Sequence, residues 1–252
     1  MLKAHSITVK VQEKTLIDGV GFTLNAGEWL MIVGRNGAGK STLVNAVSQK
    51  LNYEGIFEYD GVDIKRFKPA EFVKRIGVMK QGLSVDYSFT VGEVVKMGRY
   101  AYSQGLFSTL SKKDEEMIEY ALNVCGLSDI ANQSILTLSG GELQRTFLAQ
   151  LFALDPNILV LDEPTSHLDI TFQKQLFDLI SDWLKHEGKA VITVVHDLSL
   201  AKAYGTHTLL LSKGRAVAFG ETEEVLTKAN LEEAYGLDVY SLMNELLGKW
   251  GE

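Results

Sequence analysis

Apolar and polar positions alternate at the start of the chain. Ile7-Thr8-Val9-Lys10-Val11 and Gly21-Phe22-Thr23-Leu24 repeat with a period near two, as in strands with one buried face. These short segments predict an antiparallel edge within residues 1–28. The pattern then changes. Trp29-Leu30-Met31-Ile32-Val33 is an unbroken apolar run, as in a strand buried on both faces, and it stops at a glycine-rich loop. From Lys40 the period lengthens to that of a helix, with Leu43, Ala46, Val47 and Leu51 on one face. Ile76-Gly77-Val78-Met79 predicts another short strand.

From about residue 84 to 150 strand signals stop and helical periodicity takes over. Met117 with Ala121, and Leu143 with Phe147 and Leu151, are examples. This block reads as a helical subdomain inserted into a sheet domain. Ile158-Leu159-Val160-Leu161 and Ala190-Val191-Ile192-Thr193-Val194-Val195 then resume the strands. Between them Leu168, Phe172, Leu176, Leu179, Ile180 and Trp183 form an amphipathic stripe. Strands alternating with helices predict an α/β fold with a largely parallel sheet. A hairpin follows, from Thr208 to Leu211 and from Ala216 to Phe219 around Lys213-Gly214, and then short C-terminal helices. Pro69, Pro156 and Pro164 fall at element boundaries. The organisation expected is one domain: a core over about 1–84 and 151–252, and a helical subdomain over about 85–150.

Composition narrows the functional classes. A chain of 252 residues buries about 70–75% of its unfolded surface and needs no staples. The net charge of −7 argues against a nucleic-acid partner, which calls for a basic stripe. The single cysteine, Cys125, excludes an internal disulfide. It shares an apolar helical face with Met117, Ile118, Ala121 and Leu122, so it reads as buried packing. The first residues lack the apolar run of a signal peptide, and residues 29–33 are far too few to cross a bilayer. A soluble, cytoplasmic chain is expected.

The candidate chemistry starts at Gly34-Arg35-Asn36-Gly37-Ala38-Gly39-Lys40-Ser41-Thr42, which fits G-x-x-x-x-G-K-[ST] between a buried strand and a helix. Its glycines let the backbone wrap closely and aim N–H groups at phosphate oxygens, and the helix N-terminus adds partial positive charge. Lys40 can reach the β- and γ-phosphates, and the Ser41 hydroxyl can bind Mg²⁺.

Ligands of open α/β sheets bind beyond the carboxyl ends of the strands. Asp162 and Glu163 follow one strand, His196 another, and Gln81 comes just after a third. Asp162 suits Mg²⁺ coordination through water. Glu163 suits a general base on the attacking water. His196 can contact the γ-phosphate, and Gln81 can bridge the metal site and a loop. Each has a plainer reading as a strand terminator or turn residue. Their shared location beside the phosphate loop favours the site.

Leu138-Ser139-Gly140-Gly141-Glu142-Leu143-Gln144-Arg145 opens another helix. Ser139 and Glu142 make an S-x-x-E capping box. Capping does not require two glycines in the first turn, where they cost stability. Gly140 and Gly141 expose backbone N–H groups, a second anion site. A head-to-tail dimer would let this helix cover phosphates held by the Lys40 loop of the other copy, giving two equivalent sites.

These motifs together resemble the ABC ATPase family over nearly the whole chain. In order they match Walker A (Gly34, Arg35, Asn36, Gly37, Ala38, Gly39, Lys40, Ser41, Thr42), the Q-loop Gln81 and the signature (Leu138, Ser139, Gly140, Gly141, Glu142). Walker B ending in Asp162, the catalytic Glu163, the D-loop Ser166-His167-Leu168-Asp169 and the switch His196 complete the set. The resemblance implies a P-loop NTPase (RecA-like) core, mostly parallel, with an N-terminal antiparallel β subdomain and an inserted helical subdomain. It also implies ATP and Mg²⁺ as cofactors, with Ser41, Gln81 and Asp162 at the metal and Asp169 near the nucleotide. The expected partners are a second copy in the ATP-bound state, transmembrane permease subunits and, through them, a substrate-binding protein. The chain would then sit on the cytoplasmic face of the membrane only through its permease.

There are departures. Val11 stands where the family often has an adenine-stacking aromatic ahead of Thr15-Leu16, and His167 stands where a small residue is common. Phe89-Thr90-Val91-Gly92-Glu93-Val94-Val95-Lys96-Met97-Gly98-Arg99-Tyr100, Thr165-Ser166-His167-Leu168-Asp169-Ile170 and His196-Asp197-Leu198-Ser199-Leu200-Ala201 resemble ATPases of iron–siderophore, haem and cobalamin importers. Zinc and manganese importer ATPases share the Met-Gly-Arg-Tyr feature and are the alternative. Arg99 and Tyr100 also have a plain reading as a helix-end surface patch. Non-transport ABC ATPases usually bring coiled-coil insertions or duplicated domains; this chain has one motif set and no long heptads.

Overall fold

A computed structural model describes residues 1–80, 88–102, 110–166 and 168–249. Among them the strands and helices run, in chain order, β1 (Leu2–Val11), β2 (Lys14–Leu24), β3 (Trp29–Gly34), α1 (Lys40–Val47), β4 (Glu54–Tyr59), β5 (Val62–Asp63), α2 (Pro69–Arg75) and β6 (Ile76–Met79). Then come α3 (Val91–Met97), α4 (Lys112–Val124), α5 (Gly140–Leu154), β7 (Ile158–Asp162), α6 (Ile170–Leu184), β8 (Ala190–Val194) and α7 (Leu198–Tyr204). The chain ends with β9 (His207–Ser212), β10 (Arg215–Glu221), α8 (Thr222–Val225), α9 (Lys228–Tyr235) and α10 (Val239–Gly248). It divides into two compact units, Met1–Arg66 with Ile192–Glu252, and Phe67–Val191.

The first unit holds an antiparallel sheet in the order β2-β1-β4-β5. Its inner face is the alternation read in the sequence: Leu2, Ala4, Ile7 and Val9 of β1 are all buried. The expected edge was confined to residues 1–28, but β4 and β5 extend it. Gly55, in the left-handed region at φ 91°, interrupts the alternation of β4 and hides the strand in the sequence. A Cβ there would meet the carbonyls of His5 and Ser6, so the position requires glycine.

The same unit holds β3, whose six residues are all buried. It runs parallel to β9, from Leu30 opposite His207 to Gly34 opposite Leu211. The Trp29 indole N–H donates to the Thr193 hydroxyl at 2.8 Å, which satisfies the one polar atom of a buried ring. β9 and β10 form the expected hairpin. Lys213 (φ 49°) and Gly214 (φ 81°) at its turn both have positive φ, as a type I′ connection demands.

The second unit pairs β6 with β7 in parallel, Ile76 opposite Ile158 and Met79 opposite Leu161. Helices α3, α4 and α5 pack on one another, and the stripe on α6 buries Leu176, Ile180 and Trp183 along with Phe177. α2 is an element the periodicity did not reveal. It is short and starts at Pro69 in the first helical position. Cys125 is buried as expected, and burial pushes its thiol up to about 12.

Arg99 departs from the plainer of its two readings. Read as part of a surface patch, it is only 4% exposed, whereas its neighbour Tyr100 is 58% exposed. Its Nε donates to Asp114 at 2.7 Å, a guanidinium N–H donates to the Ala153 carbonyl at 2.7 Å, and the plane lies 3.8 Å from the Tyr102 ring centroid. The Tyr102 hydroxyl donates to the Leu154 carbonyl at 3.1 Å. This cluster satisfies carbonyls at the C-terminal end of α5, where intrahelical donors run out. Asp114 is drawn down to about 2, first by the Ser111 hydroxyl and further by the Ser111 amide and Arg99, against the effect of burial.

Candidate nucleotide site

The phosphate loop leaves the C-terminal end of β3. Gly34, Gly37 and Gly39 have φ of 145°, 79° and 103°, in the region that disfavours any side chain. At Gly39 a Cβ would lie 2.9 Å from the Leu16 carbonyl oxygen and 2.5 Å from the Ile17 side chain; at Gly34 it would run into the Leu211 carbonyl. Gly37 has open space, so only its backbone angle calls for glycine. The loop closes through the Ala38 amide, which donates to Arg35 O at 3.1 Å. The β9–β10 turn braces it: Gly214 N–H donates to Ala38 O at 3.0 Å, and Asp18 N–H donates to Gly214 O at 2.9 Å.

α1 begins at Gly39, which offers no side-chain cap to the first-turn amides of Lys40, Ser41 and Thr42. Lys40 is 5% exposed, and its ammonium donates to the Gly34 carbonyl at 2.9 Å and the Arg35 carbonyl at 3.2 Å. Beside these residues opens a cleft of about 350 Å³ lined by Gly34, Arg35, Asn36, His196 and Tyr235. His196 thus stands with the phosphate loop, as the strand-end argument placed it. Tyr235, the last residue of α9, was not anticipated.

In the second unit, Asp162 ends β7 and is 6% exposed. Glu163 follows at φ 50°, a left-handed conformation without a glycine's freedom. Such strain concentrates at functional positions. A turn follows, in which the Ser166 amide and hydroxyl both donate to Glu163 O, at 3.2 and 3.0 Å. The Gln144 side-chain amide of α5 donates to Pro164 O at 2.5 Å. α5 and the Glu163 turn are therefore hydrogen-bonded to each other. Asp169 caps α6, accepting from the Thr171 and Phe172 amides at 2.9 and 3.0 Å.

The Ser139 start of α5 carries the full capping box. The Ser139 hydroxyl accepts from the Glu142 amide at 3.3 Å, and the Glu142 carboxylate accepts from the Ser139 amide at 2.8 Å and its hydroxyl at 2.7 Å. Gly141 lies against the Phe172 ring, 3.1 Å from where a Cβ would be, while Gly140 faces open space. Gln81 and His167 lie outside the described residues. Val11, at the end of β1, is 42% exposed.

A family model described as ABC transporter matches residues 17–166. The chain belongs to the ABC transporter family. It is an ATP-hydrolysing cassette on the P-loop NTPase fold. The ABC transporter ATP-binding protein YvrA of Bacillus subtilis (strain 168) is 35% identical over 97% of this chain, which spans 55% of the length of YvrA. The ferric enterobactin transport ATP-binding protein FepC of Escherichia coli (strain K12) is also 35% identical, over 94% of this chain and 87% of its own. Among solved structures, a metal-chelate type ABC transporter in an inward-facing conformation matches with a TM-score of 0.82 and 28% identity. That match covers 94% of this chain and 89% of the other. Among the described residues of this ABC ATPase, no helix is long and apolar enough to cross a membrane.

Proposed function

We propose that this ATPase is the motor subunit of an importer for an iron–siderophore, haem or cobalamin cargo. The likeness along 94% of the chain to FepC, named for ferric enterobactin transport, supports the siderophore member of that class. The crowded glycine loop with Lys40 over it supports the nucleotide chemistry. The backbone amides of Gly34, Arg35, Asn36, Gly37, Ala38 and Gly39 cradle the phosphates, and the first-turn amides of Lys40, Ser41 and Thr42 extend that cradle. Lys40 exchanges the two carbonyls it now holds for phosphate oxygens, an ion-to-ion contact that is stronger than an ion-to-dipole one.

The Ser41 hydroxyl and Asp162 carboxylate are hard oxygen donors that fit Mg²⁺, which keeps most of its ligands as water and phosphate; Gln81 completes the set. When bound, the ion neutralises charge on the terminal phosphates. Glu163 takes a proton from the attacking water and His196 steadies the terminal phosphate. Ser139, Gly140, Gly141 and Glu142 present the start of α5 to the nucleotide of a second copy, and Asp169 stands at that interface. The helical residues of about 85–150 form the subdomain that passes the closing motion to the permease. The chain is then held peripherally on the cytoplasmic face through that permease.

The test is reconstitution with chelate-importer permeases in lipid and assay of ATPase with and without a loaded binding protein. Stimulation by a siderophore-, haem- or cobalamin-loaded protein is expected. Stimulation only by a zinc- or manganese-loaded one would transfer the assignment to the metal-ion importers. For the chemistry, Glu163→Gln is expected to keep ATP binding and to turn over at least roughly 100-fold more slowly. Ordinary turnover in that variant would remove the general-base role.

A further inference from the structure

Glu163 stands on a turn that its own residues do not favour. β7 is buried along its whole length and fixes Asp162 at its end. The next residue, Glu163, has φ 50° and is followed by Pro164. A residue ahead of proline is driven towards extended backbone, and a side chain larger than hydrogen disfavours positive φ. The turn is therefore kept in shape by what it is bonded to. From within, the Ser166 amide and hydroxyl both donate to Glu163 O, at 3.2 and 3.0 Å. From outside, the Gln144 side-chain amide donates to Pro164 O at 2.5 Å. Pro164 is buried, so its carbonyl has little water to turn to if that donor is lost.

Gln144 reaches the turn from a seated base. One residue on, an Arg145 guanidinium N–H donates to the Cys125 carbonyl at 3.1 Å, which holds α5 against the end of α4. Three residues back, Gly141 packs on the Phe172 ring of α6, and the Phe172 amide donates to Asp169 at 3.0 Å. α4, α5 and α6 thus brace the helix turn from which Gln144 extends. Nothing local in α5 requires a glutamine there. Gln, Glu, Lys and Met serve about equally well inside a helix, and the capping box is complete without it. The side chain instead crosses 20 positions of sequence to meet the carbonyl next to Glu163.

We propose that Gln144 is a positioning residue for Glu163. Its amide holds the Pro164 carbonyl and so keeps the Glu163 backbone left-handed, with the carboxylate set where the attacking water gives up its proton. The inference rests on the general-base reading of Glu163. It adds to that reading a residue of α5 outside the signature segment Leu138 to Glu142, one that acts on hydrolysis only through that carboxylate.

The experiment is steady-state ATPase kinetics, ATP titration and melting temperature on the full chain, as wild type, Gln144→Met, Glu163→Gln and the double variant. Gln144→Met keeps the length of the side chain and its helix preference and loses the donor. It is expected to lower kcat about fivefold, with KM and ATP affinity changed by less than about twofold. In the Glu163→Gln background the same substitution should change turnover by less than about twofold, because a residue that acts through the carboxylate has nothing left to position. A merely structural role would lower turnover in both backgrounds. Unchanged kcat in Gln144→Met, a KM rise that accounts for the loss, or a loss of the same size in the Glu163→Gln background overturns the proposal. If Gln144→Met melts early, Gln144→Ala, which sets no apolar end against the carbonyl, is carried through the same cycle and decides. Glu163→Gln separates the two failures. Ordinary turnover in that variant would sink the general-base reading itself, whereas slow turnover there with a Gln144 loss that persists sinks only the positioning role.

Discussion

Two helices of this chain begin at glycine-rich segments, and their first turns are supported in opposite ways. α1 starts at a glycine with no side-chain cap, on a loop whose glycines are forced by backbone angle and by the carbonyls of Leu16 and Leu211. α5 starts at Ser139 with both halves of a capping box made, and neither Gly140 nor Gly141 has a positive φ. The difference teaches what each glycine is for. In the first segment glycine is a condition of the fold, and the residue at the cap offers no side chain to the first turn. In the second the helix already satisfies itself through side chains. Gly140 then reads as space kept for something arriving from outside, and Gly141 as room for Phe172. The C-terminal end of α5 follows the same habit, with Arg99 and Tyr102 capping its last carbonyls.

Substitutions can sharpen or break this contrast. The largest effect is expected at Gly39→Ala. Left-handed strain and the collision with Leu16 together amount to about 4 kcal/mol, or roughly a thousandfold in ATP affinity. ATP titration checks it, and a near-normal affinity would mean that the loop does not depend on its glycines. Next comes Asp114→Asn, which leaves Arg99 buried without its countercharge. A loss of about 3 kcal/mol is expected in denaturant unfolding. Ser139→Ala should then cost about 1 kcal/mol through the lost cap, while Gly140→Ala should add roughly 0.5 kcal/mol of stability and still slow ATPase turnover. A Gly140→Ala protein that gains stability with full activity would remove the reason given for that glycine.

The smallest effect concerns pH. The Glu142 carboxyl is held below the ordinary glutamate range, chiefly by the Ser139 hydroxyl and then by its amide. A lowered carboxyl stabilises the fold above its unfolded pKa, and that contribution disappears as pH falls through the folded value. The stability lead of wild type over Glu142→Ala should therefore shrink as the pH is lowered through and below the ordinary glutamate range. A lead unchanged down to strongly acidic pH would show that the cap does not depend on the charge.

Much of this was legible in the order of residues. The unbroken run of β3, the alternation of β1 and β2, the stripe of α6 and the turn at Lys213-Gly214 all follow from periods and dihedral preferences that act over a few residues. The phosphate loop and the capping box are equally local, because each is defined by residues within one turn of one another. β4 escaped because Gly55 breaks its alternation to let the His5 and Ser6 carbonyls approach. That approach is a contact across about 50 positions, which no local period encodes. Arg99 escaped for the same reason, since a cation at a helix end belongs on the surface unless a distant carboxylate and carbonyl receive it. What the sequence determined by itself is the set of elements and the chemistry of their ends. Only the tertiary structure decided which distant groups complete them: the Gly214 turn beneath Ala38, Asp114 and Ala153 around Arg99, and Tyr235 at Gly34. Such pairings depend on where strand register and helix seating carry two segments, and neither segment states that alone.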